Sequence, residues 1–312
     1  MSDYHLHLHP HEPTPHGPPP GEYPVSYLER YVEAAAARGV TELAFTEHLG
    51  RCVESAGVLG PFWELEDDPR LADQTRAVVA ADRNLSLERY VDVVLRAKER
   101  GLPVLLGLEV DFFPHTIDAV VEFLAPYPWD VLVGSVHWIG GWTYERPFAR
   151  GDFAARGARR VYEAYFDLET ALAASGAVDV LAHPDRCKIH GLRPDDEPLD
   201  LYEALVAAAA ATDTAMEVSS AGLRKPCAEV YPAPSLLRMS READLAITLA
   251  SDAHTPDGAA WKHRTVVAAA WAAGYTERAA FAARRRRLVP LPEVGYGDED
   301  ASPRGQPAGA TT

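Results

Sequence analysis

The chain has 312 residues, 47% of them hydrophobic, enough apolar material for one large core or two modest ones. Its formal charge of −16 argues against nucleic acid or an anionic membrane surface as the main partner. Three cysteines without metal-type spacing (Cys52, Cys187, Cys227), no signal-like leader and no apolar run near the ~20 residues of a membrane span point to a cytoplasmic protein.

Residues 2–7 read as a short strand bearing Asp3-Tyr4-His5-Leu6-His7. Side chains alternate faces along a strand, so His5 and His7 point the same way and can converge on one divalent ion. Residues 8–24 hold seven prolines and three more histidines, an irregular loop. A helix is expected from Ser26 to Arg38, with Ser26 and Glu29 at capping-box spacing and Gly39 as its stop. Leu43 to Phe45 is a second strand, ending in Thr46-Glu47-His48. Residues 49–83 are acidic and irregular in places, which suits a lid.

Ser86 opens a helix with Leu87, Tyr90, Val91, Val94 and Leu95 at helical spacing, closed by Gly101. A strand from Pro103 to Leu108 then delivers Glu109 and Asp111, followed by a helix over roughly 115–125. The strand Val131 to Val136 carries His137, and the helix after it covers about 153–175. Val178 to Ala182 delivers His183 and Asp185, ahead of an alanine-rich helix near 198–211. Thr214 to Val218 runs into Ser219 to Lys225, and a helix near 234–243 leads to the strand Leu245 to Ala250, ending Ser251-Asp252-Ala253-His254. A final helix is expected near 259–283, with Arg284 to Arg287 as a solvated face and 297–312 as a disordered tail.

Strand–helix alternation at this spacing implies a parallel sheet with helices outside. Polar residues follow six or seven different strands, which suits the C-terminal face of a closed barrel better than a single switch-point crevice. The reading is one α/β barrel domain over 1–296. The candidate metal ligands are His5, His7, His16, His48, Glu109, His137, His183, Asp252 and His254, a set of imidazoles and carboxylates that suits zinc, manganese or iron. His9, His11, His115, His190 and His263 break the strand-end rule and read as surface or loop residues.

Together these runs, with Gly107 to Asp111, Gly134 to His137, Ala182 to Asp185 and Ala221 to Pro226, resemble the PHP (polymerase and histidinol phosphatase) family over residues 3–275, above all its monofunctional histidinol-phosphatase branch. The resemblance implies a distorted seven-stranded (β/α)7 TIM-like barrel with two or three divalent metals. By position, His5, His7, Glu109 and Asp252 would hold the first. Glu109, His137 and His183 would hold the second. His48 and His254, with His16, His11 or Glu12 from the loop, would hold the third. It further implies a phosphomonoesterase acting on L-histidinol phosphate, a small phosphorylated substrate, in histidine biosynthesis. No nucleic acid or membrane partner is expected, and the chain is expected to be a monomer or small homo-oligomer.

Clustered cations lower the pKa of bound water to ~7, which is what hydrolysis of a phosphomonoester needs. Arg224 is the first candidate to grip phosphate through its planar fork, followed by Lys188 and Arg186. Asp252 is a candidate to take or orient a proton, and His254 is a further catalytic candidate. Trp138, Trp63 and Glu47 are candidates to meet the cationic leaving group. The competing readings are a PHP phosphoesterase for nucleotides or DNA ends, an amidohydrolase, and a metal-binding barrel without activity. The amidohydrolase would want a metal-bridging lysine.

Overall fold

The computed structural model describes residues 1–10, 17–19 and 21–293. In chain order its first half runs β1 (Ser2–Leu6), α1 (Val25–Ala36), β2 (Glu42–Phe45), α2 (Ala56–Leu59), α3 (Pro69–Asp82), α4 (Leu87–Glu99), β3 (Val104–Asp111) and α5 (Ile117–Leu124). The second half runs β4 (Val131–Ser135), α6 (Arg150–Arg156), α7 (Ala158–Ser175), β5 (Val180–Leu181), α8 (Leu199–Thr212), β6 (Ala215–Ser219), α9 (Pro234–Glu242), β7 (Ile247–Ala250), α10 (His263–Ala272), β8 (Glu277–Ala282) and β9 (Arg285–Pro290).

Strands β1 to β7 pair in parallel in the order of the chain. A parallel bridge between Leu6 and Ala253, with His7 N donating to Ala253 O at 2.8 Å, brings the last strand back to the first. The result is the distorted (β/α)7 TIM-like barrel expected from the sequence. Its distortion is visible in the two-residue β5 and in the register shift between Asp3 and Leu6.

Alternation along the strands explains how one face serves two purposes. Leu105, Gly107 and Glu109 share a face of β3, Val131, Val133 and Ser135 a face of β4, and Ala215, Glu217 and Ser219 a face of β6. Near the strand starts this inner face packs into a small apolar cluster with Ala44, Val180, Ala279 and Phe281. Near the strand ends the same face turns polar. The interior is tight: a Cβ on Gly107 would sit 2.7 Å from Thr46 Cγ2 and 2.9 Å from Phe45 O, so only glycine fits there. The opposite faces, with Leu106, Leu108, Leu132, Val218, Ile247 and Leu249, join the large core shared with the helices.

Four expectations need correction. Residues 259–283 are not one helix: α10 ends at Ala272, Gly274 takes φ +92, and 277–290 form the antiparallel hairpin β8–β9. Alanine-rich sequence there favours helix locally, but Ala279, Ala280 and Phe281 are needed in the small cluster under the barrel. The run after Ala283 is not a purely solvated face either, because Arg284 pairs with Asp179 at 3.0 Å and Arg286 with Asp213 at 2.7 Å. Segment 49–83 is more ordered than expected: Asp68 caps α3 by accepting from Arg70 N, with Pro69 in the first turn. Finally, α1 starts at Val25, so Ser26 lies inside it and caps nothing. The predicted tail 297–312 lies outside the described residues. Among the described residues no helix is long and apolar enough to cross a membrane.

Candidate metal centre

Six of the seven strands deliver a candidate ligand to the C-terminal end of the barrel, and Glu109 is the hub. Its Oε2 lies 2.6 Å from His48 Nδ1, 3.4 Å from His5 Nε2 and 3.6 Å from His7 Nε2. Its Oε1 lies 3.0 Å from His183 Nε2 and 3.3 Å from His137 Nε2. Asp252 Oδ1 stands 3.3 Å from His7 Nε2, 3.9 Å from His5 Nε2 and 3.7 Å from His254 Nδ1. Two of these residues sit on backbone that side chains rarely adopt, His183 at φ 32 and Asp252 at φ 50. Such strain persists only where the surroundings hold it, and it clusters at functional sites.

The donor atoms fall into four overlapping groups, each within 4.8 Å: His5–His7–Asp252, His5–Glu109–His183, His48–Glu109–His137 and His7–His48–His254. All the strand-borne candidates from the sequence are therefore brought together. His48 stands between the expected second and third sets, since it joins Glu109 and His137 as well as His254. His16, His11 and Glu12 lie outside the described residues.

The electrostatics are those of a cation site. Burial alone would push Glu109 up, but the imidazoles of His48, His5 and His137 outweigh it and hold the carboxyl well below its usual range. Asp252 behaves likewise, held down against burial by His5, His7, His254 and Arg186. In the opposite sense, burial opposes charge on His137, yet Glu109, Glu145 and Asp111 raise it to about 10. His183 is lowered, first by burial and then by Arg186. Nε2 of His5, His7 and His137 and Oε2 of Glu109 are buried with no hydrogen-bond partner. Orphaned buried donor atoms are rare and costly, and a divalent cation would satisfy all of these at once. The residues present fit such ions.

Behind the imidazoles stand further carboxylates. Asp111 Oδ1 accepts from His137 Nδ1 at 2.9 Å while its Oδ2 accepts from Gly50 N at 2.6 Å. Glu217 accepts from His5 Nδ1 at 2.7 Å. Glu47 accepts from the backbone N–H groups of Leu8, His9 and His48. It is wholly buried, which removes it as a lid residue for the leaving group. Trp138 does border the site, its ring 5.6 Å from that of His137, whereas Trp63 packs behind it against Phe62.

Beside the candidate ligands opens a cavity lined by Arg186, Arg224, Lys225, Asp252, His254 and Trp261. Arg224 lies over the Trp261 ring at 4.3 Å and donates to Ser251 O and Gly258 O. Arg186 donates from Nε to Glu145 and from Nη1 to Asp252 Oδ2 at 3.3 Å. Lys188, expected second after Arg224 at the phosphate, is 1% exposed and is absent from the cavity wall. Its ammonium is held by Asp185 at 2.9 Å, Glu229 at 2.8 Å and Val230 O. Lys225 falls within the run Ala221 to Pro226, where sequence alone assigns it no role, and Glu217 lies inside β6 and not at its end, signalled only by the alternation of that strand. Three histidines set aside as surface or loop residues, His9, His190 and His263, are in fact buried.

A family model for the PHP domain matches residues 5–221. A curated protein of Deinococcus radiodurans named "Probable histidinol-phosphatase" is 32% identical over 226 residues, covering 72% of this chain and 79% of its own. Among solved structures, histidinol phosphate phosphatase from Lactococcus lactis subsp. lactis, complexed with zinc, L-histidinol and phosphate, aligns with a TM-score of 0.65. That alignment has 20% identity over 92% of this chain and 98% of the other. A second structure, from Listeria monocytogenes, aligns with a TM-score of 0.59 and 17% identity over 83% of this chain and 97% of its own.

Proposed function

Because the chain belongs to the PHP-domain family, we propose that it is a metal-dependent phosphomonoesterase whose substrate is L-histidinol phosphate. One observation carries this reading: a hub carboxylate, Glu109, meets buried and unpartnered imidazole nitrogens immediately beside a cavity walled by Arg186, Arg224 and Lys225. The protein named for histidinol phosphatase in Deinococcus radiodurans and the zinc, histidinol and phosphate complex from Lactococcus lactis support the choice of ester.

Two or three ions of zinc, manganese or iron suit the nitrogen and oxygen donors. His5, His7, Glu109 and Asp252 would hold one, and Glu109, His137 and His183 a second. His48 and His254 would hold a third, with a loop residue such as His16. Bound there, divalent cations supply Lewis acidity and lower the pKa of coordinated water.

The remaining work falls to the side chains. Arg224 and Lys225 bring positive charge to one wall of the cavity and would receive the phosphate dianion, with Arg224 offering the planar fork. Stacking on Trp261 limits the motion of that fork before substrate arrives. Arg186 reaches the same wall while tethered to Glu145 and Asp252, so it can contact phosphate and orient Asp252 together. Asp252, kept ionised, is the group placed to accept or orient a proton, with His254 beside it at 3.7 Å. Trp138 gives the leaving group an aromatic wall.

Phosphate release from L-histidinol phosphate, a nucleoside monophosphate and p-nitrophenyl phosphate tests the reading. We expect the highest kcat/KM for L-histidinol phosphate. A preference for the nucleotide would assign the chain to another PHP phosphoesterase, and no release from any ester by metal-loaded protein would overturn the enzymatic reading.

A further inference from the structure

We infer that Glu217 is a positioning residue for metal binding: one buried carboxylate that fixes the imidazole of His5 and the backbone of His183, the two nitrogen ligands that face Glu109 from neighbouring sets. The inference rests on the metal-dependent reading above and extends it to a residue that holds no metal itself.

Glu217 lies in the middle of β6 on its inner face and is wholly buried. Its Oε2 is 2.7 Å from His5 Nδ1, and its Oε1 accepts the backbone N–H of His183 at 3.0 Å. A carboxylate has no proton to donate, so the short contact places the proton of His5 on Nδ1. In the neutral imidazole that a metal ion would require, Nε2 then carries the lone pair, and that atom points to Glu109 Oε2 at 3.4 Å and Asp252 Oδ1 at 3.9 Å. The tautomer that binds metal is therefore selected from behind. The bond to His183 N acts on a residue at φ 32, where the chain needs an external hold.

His5 belongs to two of the four donor groups and His183 to one of them, so Glu217 touches both nitrogen members of the group His5–Glu109–His183. Glu47 stands behind His7 at 3.5 Å, beyond a good hydrogen bond, and is occupied by three backbone N–H groups. Partners of this kind orient ligating histidines and raise their basicity.

The discriminating variant is Glu217→Gln. Its amide oxygen can still accept from His183 N, but its NH2 would face the Nδ1–H of His5 and favour the wrong tautomer. Titration of zinc chloride into metal-free protein against a chromophoric chelator should show affinity lowered about 10–100-fold, with the metal-free unfolding midpoint nearly unchanged. Affinity within twofold of wild type would overturn the inference, and so would a fall in the metal-free midpoint at unchanged affinity. Wild-type protein that takes up no zinc would overturn the underlying reading instead. Should the variant fail to fold, nitrogen NMR of zinc-loaded wild type with labelled histidine decides the matter. A proton on His5 Nδ1 with zinc at Nε2 supports the role, and zinc at Nδ1 removes it.

Discussion

At the N-terminal end of the barrel, carboxylates meet cations and backbone N–H groups. Asp130 takes Lys98 Nζ and the N–H of Leu106, Asp179 takes Arg284 and the N–H of Leu132, and Asp213 takes Arg286. At the C-terminal end, Glu109 and Asp252 meet chiefly imidazoles, several of whose nitrogens have no other partner. The same side chain thus closes one end of the molecule and leaves the other short of positive charge. Histidines show the contrast as well. His263, buried within reach of the amino terminus and Arg278, is pushed down to about 4, chiefly by burial. His137, equally buried but among carboxylates, is raised to about 10. Surroundings, and not residue type, decide which end can do chemistry.

The contrast breaks most visibly at His137. His137→Ala removes a candidate ligand and should lower kcat by about 10³-fold or more, the several kcal/mol that a catalytic metal contributes. Circular dichroism should show the fold retained. A variant that keeps most of its activity would remove His137 from the centre.

Lys188 is the opposite case, a cation near the site whose work is structural. Lys188→Met leaves Asp185 and Glu229 facing each other without their shared ammonium, and breaking a buried pair costs about 3–5 kcal/mol. Urea unfolding should register the loss. A variant of wild-type stability with a raised KM would return Lys188 to the phosphate.

At the site's mouth, Arg224→Ala should raise KM for L-histidinol phosphate, with kcat/KM down about 10–100-fold, the worth of a charge-assisted hydrogen bond. An unchanged KM and kcat would take Arg224 out of the site.

His263 sharpens the comparison through pH. Its folded pKa of about 4 lies below its ordinary 6.5. Between those values the unfolded chain binds more protons, so this histidine contributes stability above pH 6.5 that is lost as pH falls toward 4. The difference amounts to about 2 kcal/mol between pH 7 and 5. His263→Leu should flatten the acid limb of stability against pH, measured by urea unfolding at each pH. Parallel curves for the two proteins would contradict this.

What could be read from the sequence follows from where the information lies. The convergence of His5, His7, His48, Glu109, His137, His183, Asp252 and His254, the candidate ligands, was legible because each sits in or just after its own apolar strand, a local pattern. The barrel was legible for the same reason. Lys188 was misjudged because its fate depends on Glu229, 41 positions away, and on Asp185, which turns back towards it at φ 64. The hairpin β8–β9 was misjudged because Ala279 and Ala280 favour helix locally and are recruited as strand by the barrel floor. Glu217 lay within reach of period-two reasoning, but its partner His5 is 212 residues distant.

The smallest effect belongs to the arginines of that hairpin. Arg284 and Arg286 form well-shaped pairs with Asp179 and Asp213, but these pairs are exposed or partly exposed, so water and salt screen them. Arg284→Ala and Arg286→Ala should each cost less than about 1 kcal/mol, an effect that shrinks further in high salt. Both should leave kcat/KM for the phosphoester unchanged, since the hairpin closes the end of the barrel opposite the candidate metal centre. Backbone bonds from Ala283 and Arg284 to Asp130 hold the hairpin independently of the guanidinium groups. A loss of activity without a loss of stability in either variant would mean that the two ends communicate, and that the floor of the barrel helps to position Glu109.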